Sequence, residues 1–405
     1  MRWQPIWVPR FEPFPALRYS PDESLDLVAA PPYDVLSDRD VKDLLRLDAH
    51  NIVAIDVPRD ADGGGRYEAA AKRMNEWITS GVLVLDPSPS FTLYRMQFTD
   101  ETGAERETVG VIGALEVVDE GAGGVLPHEK TTPKAKTDRL DLTRATEANL
   151  SPVWGLSLAA GLTDLLAAEG EPVGQCIDEN GVTHIVERVS DPSRVAAISA
   201  AVGAQPVVIA DGHHRYAISR TYRDEQRAAT GRNDLGSELT LTYVGELLEE
   251  QLSVAAIHRL ISGVPDWALL QSFSPLFEMT SAGVVGPAHA REVVERGAMC
   301  LVHSDGHGTF MKPRPECFEG VRDLDSARLE HALTRVPSYE LSYQHGVSNI
   351  VSALAAGDAS AGVLLRPVSV AEIRRTADEG LLMPPKSTFF TPKLRTGLVV
   401  RPLNV

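Results

Sequence analysis

Residues 207–216 constrain this chain more than any other stretch. Val207-Val208-Ile209-Ala210 is a short apolar run that opens after Pro206 and closes on Asp211-Gly212, the pattern of a buried strand. A helix from about His214 to Ala229 is expected to follow at once. Gly212 permits a tight turn and the close approach of a ligand. A helix starting there offers backbone N–H groups at the positive end of its dipole, an anion-holding arrangement. Arg215 adds a planar fork for phosphate or carboxylate, and His213 and His214 can exchange protons near neutral pH. Asp211 can cap the helix, orient a histidine or hold a metal. A lone Asp-Gly turn would be an ordinary helix cap, but paired histidines and an arginine at a strand-to-helix turn favour a functional site. Adjacent histidines do not have the spacing of a zinc site.

The rest of the composition bounds the class. With 405 residues, 43% hydrophobic and 23% charged, the chain can bury a core in two domains or one large one. Cys176, Cys300 and Cys317 form no C-x-x-C pair, so a disulfide scaffold or structural zinc is not expected and a reducing, cytoplasmic setting fits. No apolar leader and no run of about 18 apolar residues is present, so no membrane partner is expected. A formal net charge of −17 opposes binding to DNA and to anionic membranes, yet a local basic cluster can still take a small anion.

The pattern along the chain is mixed α/β. A proline-rich arm leads to the turn Pro31-Pro32-Tyr33-Asp34, and Ser37 caps a helix over about 38–48. A strand is expected at Asn51–Val57 and a helix over 66–80, with Gly81 as its C-cap. Phe91–Phe98 and Glu107–Val118 read as a hairpin, Val182–Val189 and Leu239–Leu247 as strands, and Pro192–Val202 as a helix. Further strands fall near 298–303 and 362–366. Gly63-Gly64-Gly65 reads as a loop, without the Lys-Ser/Thr of a P-loop, and Asp305-Gly306-His307-Gly308 as a hairpin turn. No G-x-S-x-G elbow occurs. The expected division is an N-terminal α/β region at 1–90, a catalytic core at 91–235 and a C-terminal α/β region at 236–405 with a closing strap.

Three more clusters carry chemistry. His128, Glu129, Lys130, Lys134, Lys136 and Arg139 crowd one loop-to-helix segment. Glu129 suits a general base or a magnesium ligand, and the cations suit phosphate; a solvated, capped loop explains them equally well. Asn149 and Ser151 end that segment in a turn. Near the C-terminus, prolines exclude a helix over 383–393, leaving a structural strap or, less favoured, a loop that delivers Lys386 and Ser387 to a site. His258-Arg259 and Tyr33-Asp34 can face either a core edge or a site.

Together, Pro31-Pro32-Tyr33-Asp34-Val35, Leu126-Pro127-His128-Glu129, Asp138-Arg139, Ala148-Asn149-Leu150-Ser151-Pro152, the 209–216 stretch and Met383-Pro384-Pro385-Lys386-Ser387-Thr388 resemble a bacterial and archaeal family of unknown function numbered 1015. That family is distantly similar to the ParB and sulfiredoxin superfamily, which binds nucleotides and includes a free-serine kinase. The resemblance implies a ParB/sulfiredoxin-like core with large elaborated N- and C-terminal regions, and a link to serine metabolism. It implies a nucleotide-dependent phosphotransferase for a small hydroxyl-bearing metabolite such as free serine, with ATP or ADP as donor and Mg2+ as cofactor.

In that scheme Asp211, Gly212, His213, His214 and Arg215 hold the phosphates, and Lys134, Lys136 and Arg139 stabilise the transferring group. Glu129, His128 and His213 are the catalytic candidates, and Glu129 and Asp211 the metal candidates. Tyr33, Asp34, Asn149, Ser151, His258, Arg259, Lys386 and Ser387 are the substrate-side candidates. A phosphatase acting on phosphoserine and a non-catalytic nucleotide-binding switch are the alternatives. The expected partner is a nucleotide or phosphorylated small molecule, with a homodimer as the candidate assembly.

Overall fold

The computed structural model describes residues 8–59, 65–100, 103–128, 136–384 and 386–404, with the backbone alone at Lys136 and Thr137. Residues 1–7, 60–64, 101–102, 129–135, 385 and 405 lie outside it.

The fold is mixed α/β and built on two sheets. The larger has nine strands: β1 Phe11–Glu12, β2 Phe91–Thr99, β3 Glu105–Glu116, β4 Val125–Pro127, β5 Val153–Ser157, β6 Glu171–Ile177, β7 Thr183–Val189, β8 Val207–Asp211 and β9 Leu239–Glu246. Their order is β4-β8-β5-β9-β3-β2-β7-β6, with β1 also on β3. The expected hairpin is β2 and β3, antiparallel from Thr92–Ile112 to Thr99–Glu105. The smaller sheet is antiparallel throughout, in the order β11-β13-β12-β15-β10-β14. Its strands are β10 Ile257–Ser262, β11 Phe277–Val284, β12 Met299–His303, β13 His307–Pro313, β14 Glu340–His345 and β15 Ala361–Leu364. The larger sheet draws strands from residue 11 to residue 246, so the strands divide between sheets after Glu246.

Burial on both faces explains the continuous apolar run of β8. Successive side chains alternate across a strand. Val207 and Ile209 enter a core with Ile198, Val202 and Tyr216. Val208 and Ala210 enter another with Trp154, Tyr243, Phe390, Leu394 and Leu398. One face is thus covered by the helices α4 Pro192–Val202 and α5 His213–Thr230, and the other by the C-terminal segment.

Helices α1 Asp38–Leu47, α2 Arg66–Ser80 and α3 Lys136–Thr146 complete the elements around the site. Ser37 and Asp40 form a reciprocal capping box on α1, and Gly81 closes α2 in the left-handed region. The strand expected at Asn51–Val57 is instead a helical turn, Val53–Asp56, with all four residues buried. Asn51 decides it. Its amide donates to the carbonyl of Leu27 at 2.7 Å, and its side-chain oxygen accepts from the N–H of Val53 at 3.2 Å, which starts a turn rather than a ladder. A buried apolar run carries no period to separate these outcomes.

The C-terminal segment is a strap. Phe389–Thr391 forms a short antiparallel ladder with Ser253–Ala255. Phe390 is 1% exposed and packs against Trp154 and His128, with ring centroids 5.7 and 6.0 Å away. Phe390→Ala should therefore cost about 3–5 kcal/mol in urea unfolding; a loss under about 1 kcal/mol would contradict this packing.

Candidate functional site

The site is built at the end of β8. Pairing of β8 with β5 slips between Ile209 and Asp211, so Asp211 faces Trp154 out of the regular register. Such a bulge re-aims a side chain. Gly212 follows at φ +83°, where a Cβ would lie 3.3 Å from the Cα of Val153 and 3.1 Å from Nε of Arg215. Conformation and space both call for glycine there. The 18-residue helix α5 then starts at His213 with no side chain capping its N-terminus.

Charges meet around Asp211. Its Oδ2 lies 3.1 Å from a terminal nitrogen of Arg215 and 3.4 Å from Nζ of Lys393, which the strap supplies. Burial opposes a charge on Asp211, but Lys393 and Arg215 overcome it and hold the carboxyl well below the usual range. Arg215 also donates to the carbonyl of Pro152 and lies 4.0 Å from Asp34. Burial works against its guanidinium, but Asp211 and Asp34 keep it firmly protonated.

Behind Arg215, Arg139 stacks over the Tyr33 ring at 3.9 Å and pairs with Asp56 at 3.1 Å. Burial raises the Asp56 carboxyl, and Arg139 counters in part. Tyr33, Asp56, Arg139, Asn149, Ser151 and Arg215 border a cavity of about 50 Å³, room for a few water molecules at most.

The two histidines are neutral. Nδ1 of His128 lies 2.5 Å from the Ile209 carbonyl, which can only accept, so Nδ1 carries the proton. Its Nε2 then accepts from the Thr388 hydroxyl at 2.7 Å. Burial pushes His128 down to about 4. The His213 ring lies 5.0 Å from that of His128. Burial, and then His128, push it down to about 3. Its Nε2 is buried and has no hydrogen-bond partner among the described residues.

Of the residues expected from sequence, Tyr33, Asp34, His128, Arg139, Asn149, Ser151, Asp211, Gly212, His213 and Arg215 gather here, with His214 on the first turn of α5. Asn149 and Ser151 bind protein groups: Asn149 accepts from the N–H of Leu241 at 3.0 Å, and Ser151 meets the Thr396 hydroxyl at 3.0 Å.

His258 and Arg259 sit instead in β10 of the smaller sheet, both buried. His258, pushed to about 4 by burial, accepts from the N–H of Leu365, while Arg259 donates to the carbonyl of Lys386 at 3.1 Å. The Ser387 hydroxyl donates to the Pro384 carbonyl at 2.7 Å. Ser387 also borders a separate cleft of about 620 Å³, lined by Arg366, Ser369 and Arg375 among others. His258 and Arg259 thus belong to the smaller sheet, and Lys386 and Ser387 to the strap, rather than to the turn itself. Glu129 and Lys134 lie outside the described residues, and of Lys136 only its place at the start of α3 is described.

Sequence reasoning missed Lys393, Asp56, Thr388 and Thr396. Lys393 follows Thr391-Pro392 in no pattern that separates it from an ordinary surface lysine. Asp211 does not cap α5, because it is engaged with two cations. Among the described residues, the group of three close metal-type ligands is Glu23, Asp48 and His50, not one at Asp211. Asp211 at the turn is paired with Arg215 and Lys393, and Glu129, the other metal candidate, lies outside the described residues. No helix among them is long and apolar enough to cross a membrane.

The family described as protein of unknown function (DUF1015) matches residues 11–327. No curated protein matches the chain. Three solved structures share 13–14% identity with it. A conserved hypothetical protein from Pyrococcus furiosus aligns with 68% of this chain and 92% of its own, at a TM-score of 0.35. A free serine kinase in complex with AMP aligns over 68% and 88%, also at 0.35. SbnI with a C-terminal truncation, from Staphylococcus aureus, aligns over 72% and 87%, at 0.38.

Two measurements check the geometry of the turn. Gly212→Ala should lower stability by roughly 1–2 kcal/mol in denaturant unfolding, from the left-handed backbone alone; a neutral result would contradict it. His128 titrates near 6.5 when unfolded and near 4 when folded, so the folded chain binds fewer protons between these values. Its contribution to stability is full above pH 6.5 and is lost as pH falls through 4. The stability gap between wild type and His128→Asn, which keeps a donor toward Ile209, should shrink by on the order of 3 kcal/mol from pH 7 to pH 4. A constant gap would contradict a buried neutral imidazole.

Proposed function

The chain belongs to the DUF1015 family, and we propose that it is a nucleotide-dependent phosphotransferase acting on a small hydroxyl-bearing metabolite, free serine being the first candidate. In this proposal β8, the Gly212 turn and α5 play the part of the phosphate-holding strand, turn and helix of the ParB and sulfiredoxin superfamily. One observation carries the reading. At the head of α5, N–H groups without a capping side chain meet a buried His213 Nε2, which has no partner among the described residues, and the cations around Asp211. An unpaired buried polar atom costs about 1–3 kcal/mol unless something hydrogen-bonds to it. A phosphate oxygen is a fitting partner beside a helix N-terminus.

Phosphoryl transfer asks mainly for positioning and charge neutralisation. The backbone N–H groups of His213, His214 and Arg215 bind the phosphates, with the His213 imidazole donating from Nε2 as a neutral ring. Arg215, tied to Pro152 and Asp211, fixes the turn rather than swinging to the ligand. Lys134 and Lys136 stabilise the transferring group, while Arg139, stacked on Tyr33 and paired with Asp56, braces the network behind Arg215. Glu129 takes the proton of the acceptor hydroxyl; it follows His128, which the Ile209 carbonyl and Thr388 hold in place.

The test is transfer itself. Incubation with ATP or ADP and free serine should give a phosphomonoester, seen by phosphorus NMR, in equal amount to the nucleotide product. Glu129→Gln should lower kcat by roughly 10²–10⁴-fold, the usual range for a lost general base, with nucleotide affinity unchanged. Absence of transfer from either nucleotide to any small hydroxy acid or hydroxy amino acid would overturn the proposal. Release of phosphate from phosphoserine without nucleotide would replace it with a phosphatase.

A further inference from the structure

Lys393 lies beyond residues 11–327, the part of the chain that the family match covers, yet its ammonium stands 3.4 Å from Asp211 at the head of α5. Its side chain is 18% exposed, and Nζ sits 4.4 Å over the Phe389 ring. The placement is built. The N–H of Met383 donates to the His128 carbonyl at 2.8 Å, and the Thr388 hydroxyl meets His128 at 2.7 Å. Phe389–Thr391 is laddered to Ser253–Ala255, and His345 stacks on Phe389 with centroids 3.7 Å apart. The strap thus fixes Lys393 from both of its neighbours, the larger sheet and the smaller one.

The two cations on Asp211 are not equivalent. Arg215 is bound to Asp211 and to the Pro152 carbonyl, so its fork is fixed within the protein. Lys393 has three N–H donors, and Asp211 with the Phe389 ring accounts for its contacts among the described residues. An ammonium on a flexible stem can turn from a carboxylate to a phosphate within a short arc, as a fixed fork cannot. Beside it lies His213, whose buried Nε2 has no partner among the described residues.

We infer that Lys393 contacts the anionic phosphate of the bound ligand, so that the strap from the C-terminal half completes the phosphate subsite at the head of α5. The inference rests on the reading of that turn as a phosphate site. Asp211 then acts as the resting partner of Lys393, holding the ammonium at the subsite until a phosphate takes over part of its donor set. A ligand rich in phosphate charge, such as a nucleoside diphosphate or inorganic pyrophosphate, is the class that gains most.

The test is calorimetry on the full chain with ADP and with inorganic pyrophosphate, for wild type, Lys393→Met and Lys393→Arg. A charge-assisted contact of this kind predicts that Lys393→Met weakens both ligands by roughly tenfold or more. Lys393→Arg, which keeps the charge, should recover most of that loss. Wild-type affinity in Lys393→Met for both ligands, or an equal loss in Lys393→Arg, would overturn the inference while leaving the phosphate site standing. Failure of the wild type to bind either ligand would overturn the phosphate site and the inference with it.

Discussion

Asp211 is one carboxylate held between two cations that come from different parts of the chain. Arg215 stands one helical turn further on, and Lys393 arrives from the C-terminal strap. The geometry around the Gly212 turn depends on that pairing. A half-buried carboxylate with neither partner would lose its charge or leave its place, because the cost of desolvation is met by close opposite charge. Arg215 carries the link on to Pro152 and Asp34, and Arg139 joins Tyr33 and Asp56 behind it. The N-terminal region, the larger sheet and the C-terminal strap therefore meet in one polar network beneath the head of α5.

The apolar framework makes this network worth its desolvation. β8 is buried on both faces, by helices on one and by the strap with Trp154 and Tyr243 on the other. The turn at Gly212 thus leaves a rigid strand and enters an 18-residue helix. Neutral His128 seals the joint between β8 and the strap through Ile209 and Thr388. The helix N-terminus, the His213 Nε2 and the ammonium of Lys393 are what the described part of the turn offers a ligand.

The local elements were the most legible in sequence. Pro192–Val202 and Arg66–Ser80 were readable because their caps and apolar spacing agree, and the Gly212 turn because Asp-Gly ends a run of four apolar residues. Asn51–Val57 was not, because an unbroken buried run fits strand and helix alike and only the Asn51 side chain separates them. At the site, the Asp211–Arg215 cluster announces itself through adjacent polar residues at a strand end. Lys393 and Asp56 do not, since their roles come from contacts with residues 182 and 83 positions away. His258 and Arg259 show the reverse. A conspicuous polar pair in an apolar strand proves to be hydrogen-bonded inside the smaller sheet and to the Lys386 carbonyl.

The most direct measurement is a crystal structure of the chain grown with ADP. The account places the phosphates within hydrogen-bond reach of the backbone N–H groups of His213, His214 and Arg215 and of Nε2 of His213. A nucleotide seated instead in the 620 Å³ cleft beside Arg366 and Ser369, with the head of α5 untouched, would contradict it.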